Sequence, residues 1–190
     1  KILLKKNNCL IKIILIYLLG ANVTYADIQE DIINNLLSTK TLSFNFKQKI
    51  SKKEEVGNCF IKYPLLMKCS YANLSGKVII ANGKSLAIIK KKYKKIYYYP
   101  LKFTPLFFIL DKDKILNLIK NSVPTIIDKN LIVFEFADEK LNKLKIFFDT
   151  ENLEFRGWET KDNYSNNVSF KISNLKKNKQ IVDSFFKVPR

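Results

Sequence analysis

A mainly β fold of the α+β kind, a meandering antiparallel sheet, follows from three features of this 190-residue chain. Residues 41–50, TLSFNFKQKI, alternate strictly, with Leu42, Phe44, Phe46 and Ile50 on one side and Ser43, Asn45, Lys47 and Lys49 on the other. That period of two is the mark of a half-buried strand. Pro64 and Asn82-Gly83 each divide apolar runs at a tight-turn signal,. After Pro124 the runs NLIVFEF, KLKIFFD, LEFRGWE and NVSFKIS follow one another, joined by polar turns such as DTEN and KDNYSNN. Helical periodicity is confined to the N-terminal region and the middle of the chain.

In chain order, the first 26 residues read as a secretory signal. Lys1, Lys5 and Lys6 precede the apolar run Leu10 to Leu19, and Thr24-Tyr25-Ala26 offers small residues for a cut after Ala26,. Lys12 interrupts the run, which is short for a bilayer span,. Cys9 follows no lipobox. One domain, 27–190, is expected to remain. In 27–40, Ile28, Ile32 and Leu36 recur at helical spacing behind a capping Asp27,. Strand 41–50 carries Gln48 as the one polar residue of its apolar side.

NCFIKYPLLMKCSYANL, residues 58–74, reads as two strands turning at Pro64. Folding symmetrically about Pro64 opposes Cys59 to Cys69 and Ile61 to Met67, and places Tyr63, Leu65 and Tyr71 on the same side,. Two readings of Cys59 and Cys69 stand: a cross-strand disulfide, which an exported compartment permits, or two small apolar core residues. Asn82-Gly83 turns the next hairpin, and KKKYKK follows as a basic tip. Two readings also stand for Lys91, Lys92, Lys94 and Lys95: a solvated turn, or a contact for anionic headgroups or an acidic partner. Thr104 and Pro105 open a helix as N-cap and first helical residue,. Residues 111–121 form a second amphipathic piece through Ile115, Leu116, Leu118 and Ile119.

Composition narrows the function. With 47% hydrophobic residues the chain has ample core,. The formal charge is +17, but only Arg156 and Arg190 are arginines. Removing residues 1–26 takes away four lysines and no acid, leaving +13. Nucleic-acid readers favour Arg forks and recognisable modules; there are none, so no nucleic-acid partner is expected. The absence of histidine removes His bases, Ser-His-Asp triads and His-ligated metals,. The carboxylates show no pairing suited to acid–base work. No enzyme activity, metal or cofactor is expected.

Binding is the remaining role. Phe44, Phe46, Tyr63, Met67, Tyr71, Leu86, Ile88 and Tyr99 are candidates for one concave apolar face, with Ile61 beside them. Segments 28–38 and 105–119 are placed to cover it. An ordinary core is the alternative reading of the same alternation.

The ordered set LSFNFKQ, GNCFIKYPLLMKCSY, IIANGKSLAIIKK, YYYPLKFTPLFFIL and the terminal DSFFKVP resembles the outer-membrane lipoprotein carrier family, LolA, over residues 27–190. The resemblance implies an incomplete, strongly curved antiparallel β-barrel closed by an α-helical lid over an apolar cavity. It implies a monomeric periplasmic chaperone of a Gram-negative bacterium. Such a chaperone takes acylated lipoproteins from an inner-membrane ATP-driven release complex and passes them to an outer-membrane acceptor. An outer-membrane receptor or insertion factor, and a lipoprotein-sensing domain, are relatives of the same fold. On this reading Phe44, Phe46, Ile61, Tyr63, Met67, Tyr71, Leu86, Ile88, Tyr99 and Leu106 meet acyl chains. Ile32, Leu36, Phe107, Leu110 and Ile115 belong to the lid. Many members carry Arg before the hairpin Pro, where it helps lock the lid; here that position is Tyr63, a phenol without a cationic fork,.

Overall fold

The computed structural model describes residues 25–127, 130–137, 143–162 and 164–189. The expected signal segment thus lies almost wholly outside the described residues. Eleven antiparallel strands form one open sheet in the order β6-β5-β4-β3-β2-β1-β11-β10-β9-β8-β7. The strands are β1 Thr41–Ile50, β2 Lys53–Lys62, β3 Leu66–Tyr71, β4 Lys77–Asn82, β5 Ser85–Lys90 and β6 Lys95–Pro100, then β7 Thr125–Ile127, β8 Leu131–Ala137, β9 Lys143–Asp149, β10 Phe155–Lys161 and β11 Asn167–Lys177. The chain is a meander in two runs, joined where β1 pairs with β11. The sheet is an incomplete, curved barrel: β6 and β7 end it and do not pair with each other.

Among the described residues, three α-helices accompany the sheet: α1 Tyr25–Ser38, α2 Leu106–Leu110 and α3 Lys112–Lys120. Two details differ from the sequence expectation. Asp27 lies inside the first turn of α1, so its carboxylate stands in the turn where the helix dipole favours an anion. The N-cap of α2 is Pro105, not Thr104, because the Thr104 hydroxyl turns back to donate to the Leu101 carbonyl at 2.8 Å. Asp111 caps α3 by accepting from the Lys114 amide at 3.2 Å,.

Registers follow the turn chemistry. The β2–β3 hairpin pairs Cys59 with Cys69, Ile61 with Met67 and Gly57 with Tyr71, the symmetric fold about Pro64. In the β4–β5 turn, the Asn82 side chain accepts from the amides of Lys84 and Ser85 at 3.2 and 2.9 Å,. Gly57 stands opposite Phe46, whose ring covers it; a β-carbon there would sit 2.1 Å from the Ser70 carbonyl and 2.7 Å from the ring. In β10 the register shifts between Phe155 and Gly157, and Gly157 takes a positive φ of 136° that other residues rarely adopt,.

The two faces are covered differently. On the outer face Val78, Ile80 and Ile89 form a small cluster with Ile96 and Val188. The C-terminal tail is held there by Lys62, which donates to the Ile181 carbonyl at 2.9 Å, and by Lys68, which donates to the Phe185 carbonyl at 3.2 Å. On the concave face the helices meet the sheet in one large apolar cluster.

Candidate functional site

Strand alternation builds a wall. Leu42, Phe44 and Phe46 of β1 point to the same side as Cys59 and Ile61 of β2, Met67, Cys69 and Tyr71 of β3, and Ala81 and Leu86 beyond them. All are buried. They pack in one cluster with Ile32 and Leu36 of α1, Ile109 and Leu110 of α2, and Ile115 and Ile119 of α3. Tyr63, Leu106 and Phe107 are half-buried against it. Leu106, placed by sequence among the wall residues, belongs to helix α2. Ile88 and Tyr99 share the wall's side by register but stay outside the packed cluster; Ile88 is half-buried and Tyr99 is 45% exposed.

The sequence reading leaves the second half of the wall unassigned. Phe170 and Ile172 of β11, Trp158 and Phe155 of β10, Ile146 and Phe148 of β9, and Ile132 and Phe134 of β8 are all buried in the same cluster. The aromatic rings run together: Phe46 stacks on Phe170 with centroids 4.6 Å apart, and Trp158 stacks on Phe170 at 4.0 Å. The signal is present as alternation in the four runs after Pro124.

The helices are tied to one another at both ends. The Lys112 ammonium, at the start of α3, donates to the carbonyls of Leu37 and Thr39 at the end of α1, at 2.8 and 2.7 Å. A cation on the last carbonyls of a helix also meets the negative end of its dipole. At the other end, Gln29 of α1 donates to the carbonyls of Ile119 and Ser122. The hairpin joins this arrangement through Leu65, whose amide donates to the Leu110 carbonyl at 2.9 Å.

Tyr63 sits beneath that junction. Its ring centroid is 5.7 Å from Lys112 Nζ, and its hydroxyl is buried without a hydrogen-bond partner among the described residues. Burial pushes the phenol's pKa well up, so it stays protonated,. The Lys112 ammonium thus meets the carbonyls at the end of α1 near the apolar face of the Tyr63 ring.

The wall stops at a polar rim. Gln48 accepts from the Tyr71 hydroxyl at 2.8 Å, which satisfies the one polar residue of β1's apolar side,. Glu55 pairs with Lys77, whose ammonium also stands 3.6 Å from the centre of the Tyr71 ring,. Asn73 donates to the Glu55 carboxylate at 2.8 Å. Burial opposes the charge of Glu55, but Lys77 with Asn73 and Lys53 outweighs it and holds the carboxyl below its ordinary range. Burial lowers the Lys77 pKa and Glu55 only partly restores it. The contact geometry is that of an ion pair, and the two downward directions reflect the larger desolvation of the lysine.

Cys59 and Cys69, opposed on the wall, are joined as a disulfide. Lys91, Lys92, Lys94 and Lys95 are exposed around a short 3₁₀ turn at Lys91–Tyr93 and the start of β6. Two clefts are lined without any helix residue. One, of about 500 Å³, lies among Lys49, Lys143, Lys145, Lys161 and Glu159; the other, of about 490 Å³, lies along β1, β2 and β11 beside Phe46 and Ile172.

The family model described as "Outer membrane lipoprotein carrier protein LolA" matches residues 37–189. The chain is similar to an outer-membrane lipoprotein carrier protein of Francisella tularensis subsp. novicida (strain U112), with 25% identity over 188 residues, covering 90% of this chain and 88% of that protein. Among solved structures it is similar in fold to an uncharacterized conserved protein of Thermus thermophilus, with a TM-score of 0.53, 8% identity, and coverage of 88% of this chain and 96% of that one. It also matches a LolA superfamily protein of Nitrosomonas europaea with a TM-score of 0.47, 11% identity, and coverage of 87% and 98%.

Proposed function

The chain belongs to the outer membrane lipoprotein carrier protein LolA family, and on that premise we propose that it is a periplasmic chaperone for lipoprotein acyl chains. One observation carries the reading: the concave wall of an open sheet and helices α1, α2 and α3 share a single apolar cluster. A helix face and a fatty chain then compete for the same surface. Exported through residues 1–26, the domain 27–190 takes acylated lipoproteins from an inner-membrane ATP-driven release complex and hands them to an outer-membrane acceptor, with no turnover chemistry of its own. Phe44, Phe46, Ile61, Met67, Tyr71 and Leu86 form the acyl-binding wall, extended by Trp158 and Phe170. Ile88 and Tyr99 mark its uncovered margin, and the lysines at 91, 92, 94 and 95 meet a partner or headgroups.

Magnitudes support exchange. Ile32, Leu36, Ile109, Leu110, Ile115 and Ile119 are 0–5% exposed. At about 1.5–3 kcal/mol each, their burial is worth at most roughly 9–18 kcal/mol. One acyl chain of about 16 carbons gains about 13 kcal/mol at about 0.8 per methylene. The two are of one order, so a lipoprotein with several chains displaces the helices and the helices can in turn help expel it.

The test is co-purification. Expressed in a periplasm, the protein should carry triacylated lipoprotein detectable by intact-mass spectrometry. Phe46→Glu and Leu86→Glu, checked for folding by circular dichroism, should lose that cargo. Folded variants that retain cargo at the wild-type level would remove these residues from the acyl-binding surface.

A further inference from the structure

The open end of the sheet carries a second kind of site. Strand β6 pairs with β5 on one side and ends the sheet on the other. Five of its six residues are exposed, among them Tyr97 at 40%, Tyr98 at 58% and Tyr99 at 45%. The C-terminal tail, which covers the outer face, is anchored on β2 and β3 by Lys62 and Lys68 and runs on to Val188 in the outer cluster of Val78, Ile80 and Ile89.

The free backbone groups can be assigned by parity. The Leu101 amide donates to the Lys84 carbonyl at 2.9 Å, so residue 101 addresses β5. Residues of an antiparallel strand alternate between their two neighbours. Tyr99, Tyr97 and Lys95 therefore bond to β5, while Ile96, Tyr98 and Pro100 face outward. Proline occurs in edge strands with its missing N–H directed away from the ladder, which is where Pro100 falls. The amides of Ile96 and Tyr98 and the carbonyls of all three residues are left as a template for another strand.

Charge selects the occupant. Between Glu55 and Asp111 the chain has ten lysines and no acid. Five of them, Lys90, Lys91, Lys92, Lys94 and Lys95, lie at the entrance to β6. Among the described residues, none of the five is in an ion pair with a carboxylate. A second copy brings the same cationic strand and no acid, and Lys95 and Pro100 at its ends blunt self-pairing.

We propose that β6 is a docking edge for an extended acidic segment of a partner protein, which adds as a twelfth strand. Ladder bonds form to Ile96 and Tyr98, the tyrosines flank the added strand on both faces, and its carboxylates meet the lysines. The edge adjoins the acyl-binding wall at Tyr99, but its ladder bonds run through the backbone of Ile96 and Tyr98 and do not depend on what fills the wall.

A fluorescein-labelled eight-residue peptide of alternating Glu and Val, titrated into the purified protein and followed by anisotropy, is the direct probe. Its partner probe is the same peptide N-methylated at every second residue, which keeps the charge and blocks the ladder. The unmodified peptide should bind at least about tenfold more tightly, the loss expected for one or two buried hydrogen bonds. Tyr98→Pro removes one outward amide and should weaken binding by a similar factor relative to Tyr98→Ala, with melting temperature held. Charge reversal at Lys91, Lys92 and Lys94 should abolish it. Equal binding of the two peptides, or no binding, overturns the proposal. So does selective binding of vesicles containing anionic phospholipid that survives Tyr98→Pro, which assigns the lysines to a lipid surface. A dimer in analytical ultracentrifugation that Tyr98→Pro abolishes gives the edge to a second copy and equally overturns it.

Discussion

Truncation of a buried helix residue separates a displaceable lid from an ordinary core. Ile115 of α3 has no exposed surface and lies in the cluster shared with the sheet wall. Ile115→Ala removes three carbons, about 2.4 kcal/mol at about 0.8 per methylene, and about 2–5 kcal/mol once the residual cavity is included. If acyl chains displace the helices, that loss falls on the covered state and not on the loaded one. Where the covered state dominates, apparent affinity rises by the same free energy, so about 2 kcal/mol gives roughly 30-fold tighter binding. Ile80→Ala is the matched control: Ile80 is 1% exposed but sits in the outer cluster with Val78 and Ile89. Both variants should lower the melting temperature. Only Ile115→Ala should tighten binding of a fluorescent diacylated lipopeptide in an equilibrium titration. Unchanged or weaker binding by Ile115→Ala would refute the competition between helices and acyl chains, since the helix would then be either permanent core or part of the bound wall.

Two other outcomes follow from the tie between helices and from the polar rim. Lys112→Met keeps most of the stem but loses the bonds to the carbonyls of Leu37 and Thr39; at about 1.5–3 kcal/mol for hydrogen bonds from a charged group, it should speed proton exchange of α1 and α3 amides, and protection equal to wild type would show that the tie does not hold the lid. For Glu55 the sign is set by a folded pKa below the ordinary 4.5: its contribution is full above that value and disappears as pH falls through the folded one. Lys77 runs the other way, since a lowered lysine pKa is a cost at neutral pH that is relieved as pH rises,. The wild-type melting temperature should therefore exceed that of Glu55→Gln at pH 7, with the gap closing on acidification below about pH 4.5; a gap independent of pH would remove the ion pair from the stability of the rim.

Local chemistry carries the sequence reading as far as single hairpins. Pro64 fixes the turn, and with a period of two everything from Gly57 to Tyr71 falls into register,. The solitary Gln48 on an apolar side announces a partner, and Tyr71 is that partner. Long-range pairing has no such local mark. Nothing in β1 or β11 alone states that Phe46 lies beside Ile172 and Gln48 beside Phe170, yet that junction turns two meanders into one wall. Alternation even misleads at β10: Phe155 and Trp158 are three apart and should oppose each other, but the bulge at Gly157 brings both rings inward, stacked with centroids 5.9 Å apart,. The lid tie is hidden for a related reason. The residue before the hairpin proline is Tyr63, and the cation near its ring is Lys112 at the start of α3, which reaches the carbonyls at the end of α1. A positive charge thus lies on the last carbonyls of α1 above an apolar ring without any cation at position 63. A departure at position 63 therefore argues for a search of its spatial neighbours before it argues for a missing function.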